Sequence, residues 1–167
     1  MERSQIFRAL IGAVAVAWIG SGCANPFAPA LRGTTGSLWT DASTVGKLLQ
    51  NFTTAYELRD SLEYSDLLAD DFQFQYYDAQ LQRTDGWYRE TDLRTTARMF
   101  RSFDNISLIW GTLPPDTLAI DRDSVEVPVR VQYQLILDEM SPVFGFASFT
   151  LYKSGDRFRI VLWHDGI

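Results

Sequence analysis

The chain of 167 residues has one cysteine, Cys23, and one histidine, His164. One thiol excludes an intrachain disulfide framework, and the pair is too few for a zinc site built from several Cys and His ligands. Positive charge is scarce: 15 Lys and Arg stand against 21 Asp and Glu, a formal net charge of −6. The basic footprint of a nucleic-acid binder is therefore missing. No Gly-rich phosphate loop, nucleophile elbow or His–Glu zinc motif occurs, so no metal and no cofactor is expected. What is present is the composition of a folded body, with 46% hydrophobic and 14% aromatic residues, unlike that of disordered chains. The length fits one domain with an appendage.

The appendage is N-terminal. Arg3 and Arg8 precede or adjoin Ala9–Gly22, fourteen residues without a charge. About twenty apolar residues span a bilayer, so this run is short for a permanent anchor and has the length of a secretory signal. Gly20, Ser21 and Gly22 lead directly into Cys23. The segment resembles the lipobox of bacterial lipoproteins, with Gly20 in place of the usual leucine and Ile19 one position earlier. The resemblance implies cleavage before Cys23, a diacylglyceryl group on its thiol, and acylation of its new amine, for instance by palmitate. It implies an extracytoplasmic protein held to a membrane by lipid. In a source with two membranes it implies the periplasmic face of the outer membrane, because Ala24 is not the aspartate of inner-membrane retention. The alternatives are an ordinary signal peptide with an incidental cysteine, and a short uncleaved anchor. Loss of residues 1–22 removes two Arg and one Glu, leaving 13 basic and 20 acidic residues, net −7. Anionic headgroups repel such a body, so lipid and not charge would hold it at the surface.

Residues 24–40 carry Pro26, Pro29, Gly33 and Gly36 without a helical or strand period, and read as a tether. Trp39 is expected to dock on the domain. The organisation is a signal over 1–22, a lipidated cysteine and tether over 23–42, and one domain over 43–167.

Within the domain, Val45, Leu48, Leu49, Phe52, Ala55 and Tyr56 recur at helical spacing and predict a helix over 43–59, capped by Asp41 or Ser43. Asp60 caps a short second helix over 61–69 with Leu62, Leu67 and Leu68 inward. Phe72, Phe74 and Tyr76 alternate with Gln73, Gln75 and Tyr77, which predicts a strand, and a brief strand follows at 87–89. Thr91 caps a third helix over 92–103, its face formed by Leu93, Thr96, Ala97 and Phe100. The remainder reads as strands over 106–112, 124–138, 143–153 and 157–165. Pro114 and Pro115 stop the first, Pro128 places its strand at an edge or bulge, and Ser154-Gly155-Asp156 closes a hairpin. Helices followed by an antiparallel run make an α+β domain.

Two stretches, Tyr64-Ser-Asp-Leu-Leu-Ala-Asp-Asp-Phe72 and Lys153-Ser-Gly-Asp-Arg-Phe-Arg-Ile-Val-Leu-Trp-His-Asp165, together with the order of elements, resemble the nuclear-transport-factor-2-like superfamily. That group includes ketosteroid isomerases and SnoaL-like polyketide cyclases. The resemblance covers residues 43–167 and implies a cone: a curved antiparallel sheet wrapped around N-terminal helices and a pocket. Aligned on Ala69-Asp70-Asp71, the isomerase base falls on Tyr76, with Asp78 two residues on. The isomerase helix-one tyrosine falls on Phe52, with Tyr56 one turn later. A phenol with a pKa near 10 is a poor base at neutral pH, so the isomerase chemistry is not expected.

The candidate pocket residues are Tyr76, Trp87, Tyr88, Tyr133 and His164, aromatic groups with polar tips that suit a small ligand. His164 alternates with Phe158, Ile160 and Leu162 and is expected inside the cone, with Asp165 on the opposite face. Packing alone is the alternative for the aromatics, and a solvated strand position for His164. Arg130 is expected on a solvated face or against a second subunit. The resulting reading is a lipid-anchored, non-catalytic module that binds a small apolar ligand or a protein, with a homodimer through the open sheet face. The first rival is an isomerase, lyase or hydrolase using His164 or Asp78. The second is a structural envelope protein with a filled pocket. An open cavity of about 300 Å³ or more, with His164 and a carboxylate converging on it, favours ligand binding or catalysis, and a cone plugged by Tyr76, Trp87 and Tyr133 excludes both.

Overall fold

A computed structural model describes residues 37–113 and 126–166. Cys23, the signal over 1–22, the tether up to residue 36 and the Pro114–Pro115 stop lie outside these residues. None of the described helices is long and apolar enough to cross a membrane. The elements in order are α1 (Val45–Leu58), α2 (Ser61–Leu67), β1 (Leu68–Asp78), β2 (Arg83–Tyr88), α3 (Arg89–Ser102), β3 (Ile106–Trp110), β4 (Glu126–Leu137), β5 (Val143–Ser154) and β6 (Arg157–Gly166). This is the expected α+β domain.

The apolar stripe read from the sequence is the buried face of α1: Val45, Leu48, Leu49, Phe52, Ala55 and Tyr56. The cap is Thr44, whose hydroxyl accepts from the Lys47 N–H, rather than Asp41 or Ser43. Asp41 instead accepts from the Ser43 N–H and the Lys47 ammonium. Asp60 caps α2 as expected, accepting from the Leu62 and Glu63 N–H groups. The inward residues of α2 are Tyr64 and Leu67, while Leu62 is 79% exposed. Two turns of helix bury one narrow face, and a residue two positions before Tyr64 lies on the other side. Helix α3 begins three residues earlier than expected, at Arg89, and Thr91 is not its cap.

The six strands of the described residues form one curved sheet in the order β2-β1-β6-β5-β4-β3. Four pairings are antiparallel and one, β1 with β6, is parallel. Pro128 pairs with Thr150 of β5, while β3 covers only the 133–137 end of β4. Among the described residues, the proline thus sits where β4 is paired on one side only, which suits its missing N–H. The hairpin from β5 to β6 turns through Gly155 and Asp156, with Gly155 at φ +59, a backbone that glycine adopts without steric cost.

The helices cover one face of the sheet. Phe52, Tyr64, Phe72, Phe149, Phe158 and Ile160 are fully buried between the layers. Trp39 packs on this core, and Ala42 is buried with its carbonyl accepting from the Phe158 N–H. Asn51 fastens that entry segment, accepting from the Thr40 N–H and donating to the Thr40 carbonyl.

A buried carboxyl joins the small elements. Asp92 of α3, 4% exposed, accepts from the Tyr64 hydroxyl at 2.6 Å and the Trp87 indole N–H at 3.0 Å. Burial raises its pKa, and the two hydrogen bonds oppose the rise. One side chain thereby ties α2, β2 and α3. Asp92→Ala strands both donors in the interior, each at about 1–3 kcal/mol. We expect a loss of about 2–4 kcal/mol in urea denaturation, with a smaller loss in Asp92→Asn, which keeps one acceptor.

Candidate functional site

The site is set by a shift in the side-chain phase of β6. Leu151 pairs with Ile160 but Thr150 pairs with Leu162, so Val161 is an extra residue on β6. Such a bulge reverses the alternation beyond it. Phe158 and Ile160 face the helices before the bulge. After it, Trp163 and Asp165 do so, paired across the sheet with Phe149 and Ala147 of β5 and with Phe74 and Tyr76 of β1. His164 therefore points to the outer face, level with Gln75 and Ser148. The sequence expectation is reversed: His164 is outside the cone, and Asp165 is inside.

Between α1 and the inner face of the sheet lies a cavity of about 160 Å³. Phe52 and Tyr56 of α1, Phe74, Leu108, Trp110, Leu135 and Trp163 make it apolar, and Tyr133 and Asp165 supply its polar wall. Asp165 is 9% exposed and accepts from the Tyr133 hydroxyl at 3.0 Å. Burial raises the Asp165 pKa, and the Tyr133 hydrogen bond and the nearby His164 oppose the rise. Burial and the neighbouring carboxylate also push the Tyr133 phenol up. Gly145, opposite Tyr133 on β5, leaves room for this arrangement: a Cβ there would lie 2.7 Å from the phenol ring. The Trp110 indole N–H donates to the Leu49 carbonyl and fixes that wall to α1. The Trp163 indole N–H is buried without a hydrogen-bond partner among the described residues.

Of the expected pocket residues, only Tyr133 lines this cavity. Tyr76 and Trp87 are half-buried and pack against the core beside Phe74. Tyr88, at the end of β2, is 70% exposed. Asp78 accepts from the Gln80 and Leu81 N–H groups and caps the turn from β1 to β2. Arg130 lies on the outer face with its guanidinium 4.5 Å from the Phe146 ring centre. Asp165 was missed because a bulge leaves no mark in an alternation count. The available signal was Gly145, since a glycine inside a strand often marks the close approach of another group. Among the described residues, no group of three or more His, Cys, Asp or Glu is placed to hold a metal ion. A second hollow, of about 360 Å³, is lined by Ile109, Gln132, Phe144 and Phe146 with their neighbours and contains no carboxylate, amine or imidazole.

The architecture matches proteins of known structure. A candidate scytalone dehydratase from Novosphingobium aromaticivorans superposes with a TM-score of 0.59 at 14% identity, over 73% of this chain and 80% of that one. A Nostoc punctiforme protein of unknown function with a cystatin-like fold gives 0.54 at 13% identity, over 73% of this chain and 86% of that one. A nuclear-transport-factor-2-like protein of unknown function from Shewanella baltica gives 0.52 at 9% identity, over 72% of this chain and 87% of that one. No family model matches the sequence, and no curated protein does. The shared feature is the fold: the chain has the nuclear-transport-factor-2-like arrangement of a curved sheet closing on helices.

The raised Asp165 carboxyl has a direct consequence for stability. The folded state binds its proton above the ordinary value of 3.8, so stability from this group falls as pH rises from 3.8 to the folded-state pKa, and is level beyond it. Carboxyl carbon NMR should show Asp165 titrating above 3.8. Tyr133→Phe removes a hydrogen bond that favours the charged form, and should move the titration higher still. A downward shift in that variant would contradict the assigned role of Tyr133.

Proposed function

We propose that this protein is a lipid-anchored, non-catalytic module of the cell envelope that binds a small ligand inside its cone. The observation that carries the reading is the apolar cavity with one carboxyl–phenol pair on its wall. Its fold fits a ligand-binding cone pocket. At about 160 Å³ the cavity is smaller than the expected size of about 300 Å³ and His164 does not reach it, so the volume restricts the ligand to a small one. An engineered apolar cavity of about 150 Å³ admits benzene, whereas drug-sized ligands need about 300–1,000 Å³. A steroid-sized molecule is thereby excluded unless the walls move.

A cone enzyme built on His164 or Asp78 finds no support in the geometry. The first is on the outer face and the second caps a turn. The carboxyl that does face the cavity, Asp165, is already engaged with Tyr133. It has no neighbouring imidazole, thiol or amine within the lining to act with it. A fully filled cone does not describe the interior either, since Tyr133 leaves the cavity open beside it.

The anchor rests on the position of Cys23 after Gly20-Ser21-Gly22. The homodimer of this reading would use the outer sheet face, where Ile109, Phe144 and Phe146 are exposed. Apolar residues grouped on an open face favour association.

Two experiments test the reading. Leu135→Phe should fill the cavity, because Leu135 already lines it. Benzyl alcohol should raise the melting temperature of the native chain and leave the variant's unchanged, by differential scanning fluorimetry. Equal shifts in both would place binding elsewhere. Cys23→Ser should lose palmitate labelling and leave the membrane fraction. A variant that stays membrane-bound and labelled removes the anchor from the reading.

A further inference from the structure

The cavity wall combines six aromatic side chains with a single acid: Phe52, Tyr56, Phe74, Trp110, Tyr133 and Trp163 surround Asp165. Phe52 stacks on Tyr56 at 4.8 Å and 24°, and other pairs meet edge to face. Phe52 meets Trp110 at 5.5 Å and 71°, and Trp163 at 5.6 Å and 78°. Phe74 meets Trp163 at 5.1 Å and 83°. A cavity walled by aromatic rings suits a cation wherever a ring face borders it. The acid is more than nine-tenths buried, and its one hydrogen-bond donor, Tyr133, is neutral. Among the described residues, no lysine, arginine or histidine belongs to the lining. Buried charges are ordinarily paired; His164, the next residue back, acts on this carboxylate from the outer face, and among the described residues no cationic side chain faces it within the cavity.

Resting on the reading of the cone as a ligand site, we propose that the cavity binds a small organic cation, an alkylammonium or quaternary ammonium, between the Asp165 carboxylate and the surrounding ring faces. The ligand supplies the positive charge that the wall lacks. Tyr133 holds the carboxylate by donating to one oxygen, which leaves the other for the cation. The net charge of −6 favours the approach of a cation over that of an anion. A cavity of about 160 Å³ limits the ligand to a group of trimethylammonium size with a short arm. The missing basic residue disfavours a phosphate alongside the ammonium.

The test compares choline with 3,3-dimethylbutan-1-ol, which has the same shape and no charge. In calorimetric titrations of the full chain, choline should bind at least about tenfold more tightly, the scale of one buried cation–π and charge contact. Asp165→Asn retains a carbonyl acceptor for Tyr133 and should abolish that preference while leaving the fold intact by circular dichroism. Equal binding of the two probes to the native chain overturns the cation while keeping the cavity as an apolar ligand site. Preference retained in Asp165→Asn overturns the role of the acid. Silence of choline where benzyl alcohol binds also overturns the cation alone, and silence of all three overturns the cavity reading with it. Dihexanoylphosphatidylcholine in the same titration should bind more weakly than choline; tighter binding overturns the limit to a small, phosphate-free cation.

Discussion

Val161 has no partner of its own on β5, and that one surplus residue decides which chemistry the cone contains. Upstream of it, β6 presents Phe158 and Ile160 to the helices. Downstream, an unbroken strand would have presented Leu162 and His164. The bulge presents Trp163 and Asp165 instead. A leucine and an imidazole are thereby exchanged for an indole and an acid. The exchange also fixes the partners, because Tyr133 can donate to Asp165 only when both face inward. Gly145 then becomes necessary, since any side chain there would occupy the space of the Tyr133 ring. The bulge, the phenol and the glycine form one arrangement spread over three adjacent strands.

The two buried acids among the described residues, Asp92 and Asp165, show how a similar environment serves different ends. Each has a pKa raised chiefly by burial, and each accepts from a tyrosine. Asp92 receives a second donor from Trp87 and uses both oxygens to connect α2, β2 and α3. Its hydrogen-bonding capacity is largely spent on the protein itself, as expected of a group that stabilises a fold. Asp165 has a single side-chain donor and borders empty space. A carboxyl that is buried, under-engaged and next to a cavity carries a standing desolvation cost that a ligand can offset. That difference in saturation, more than any difference in burial, separates the structural acid from the candidate binding acid.

Much of the fold was legible because it depends on periodicity. The stripe of α1, the alternation of Phe72, Phe74 and Tyr76, the Asp60 cap and the Gly155 hairpin all follow from local rules that the tertiary structure left intact. The element order then suggested the cone. The failures have equally physical causes. Leu62 looked inward by hydrophobicity, but α2 is too short to bury both sides. Tyr88 was grouped with Trp87 by composition, although neighbours on a strand face opposite ways. Asp78 resembled a catalytic acid by alignment, yet the turn that follows it needed an acceptor for its N–H groups. His164 and Asp165 were exchanged by one residue of register, the smallest error that reverses a strand's two faces.

The same argument explains why a fold of this kind says little about chemistry. The curved sheet and the helix layer are specified by some two dozen apolar positions, and similar structures recur at identities of 9–14%. The cavity that this packing leaves has its size set by Phe52, Phe74 and Trp163. Its character is set by whichever polar group the strand register turns into it. Here that group is an acid held by a phenol, among rings, without a base. Among the described residues, the lining offers only the phenols of Tyr133 and Tyr56 beside this acid. Complementarity to a positive charge needs only the acid and the rings already present. That complementarity is the basis of the proposed cation site, and the acid it needs is turned inward by the bulge at Val161.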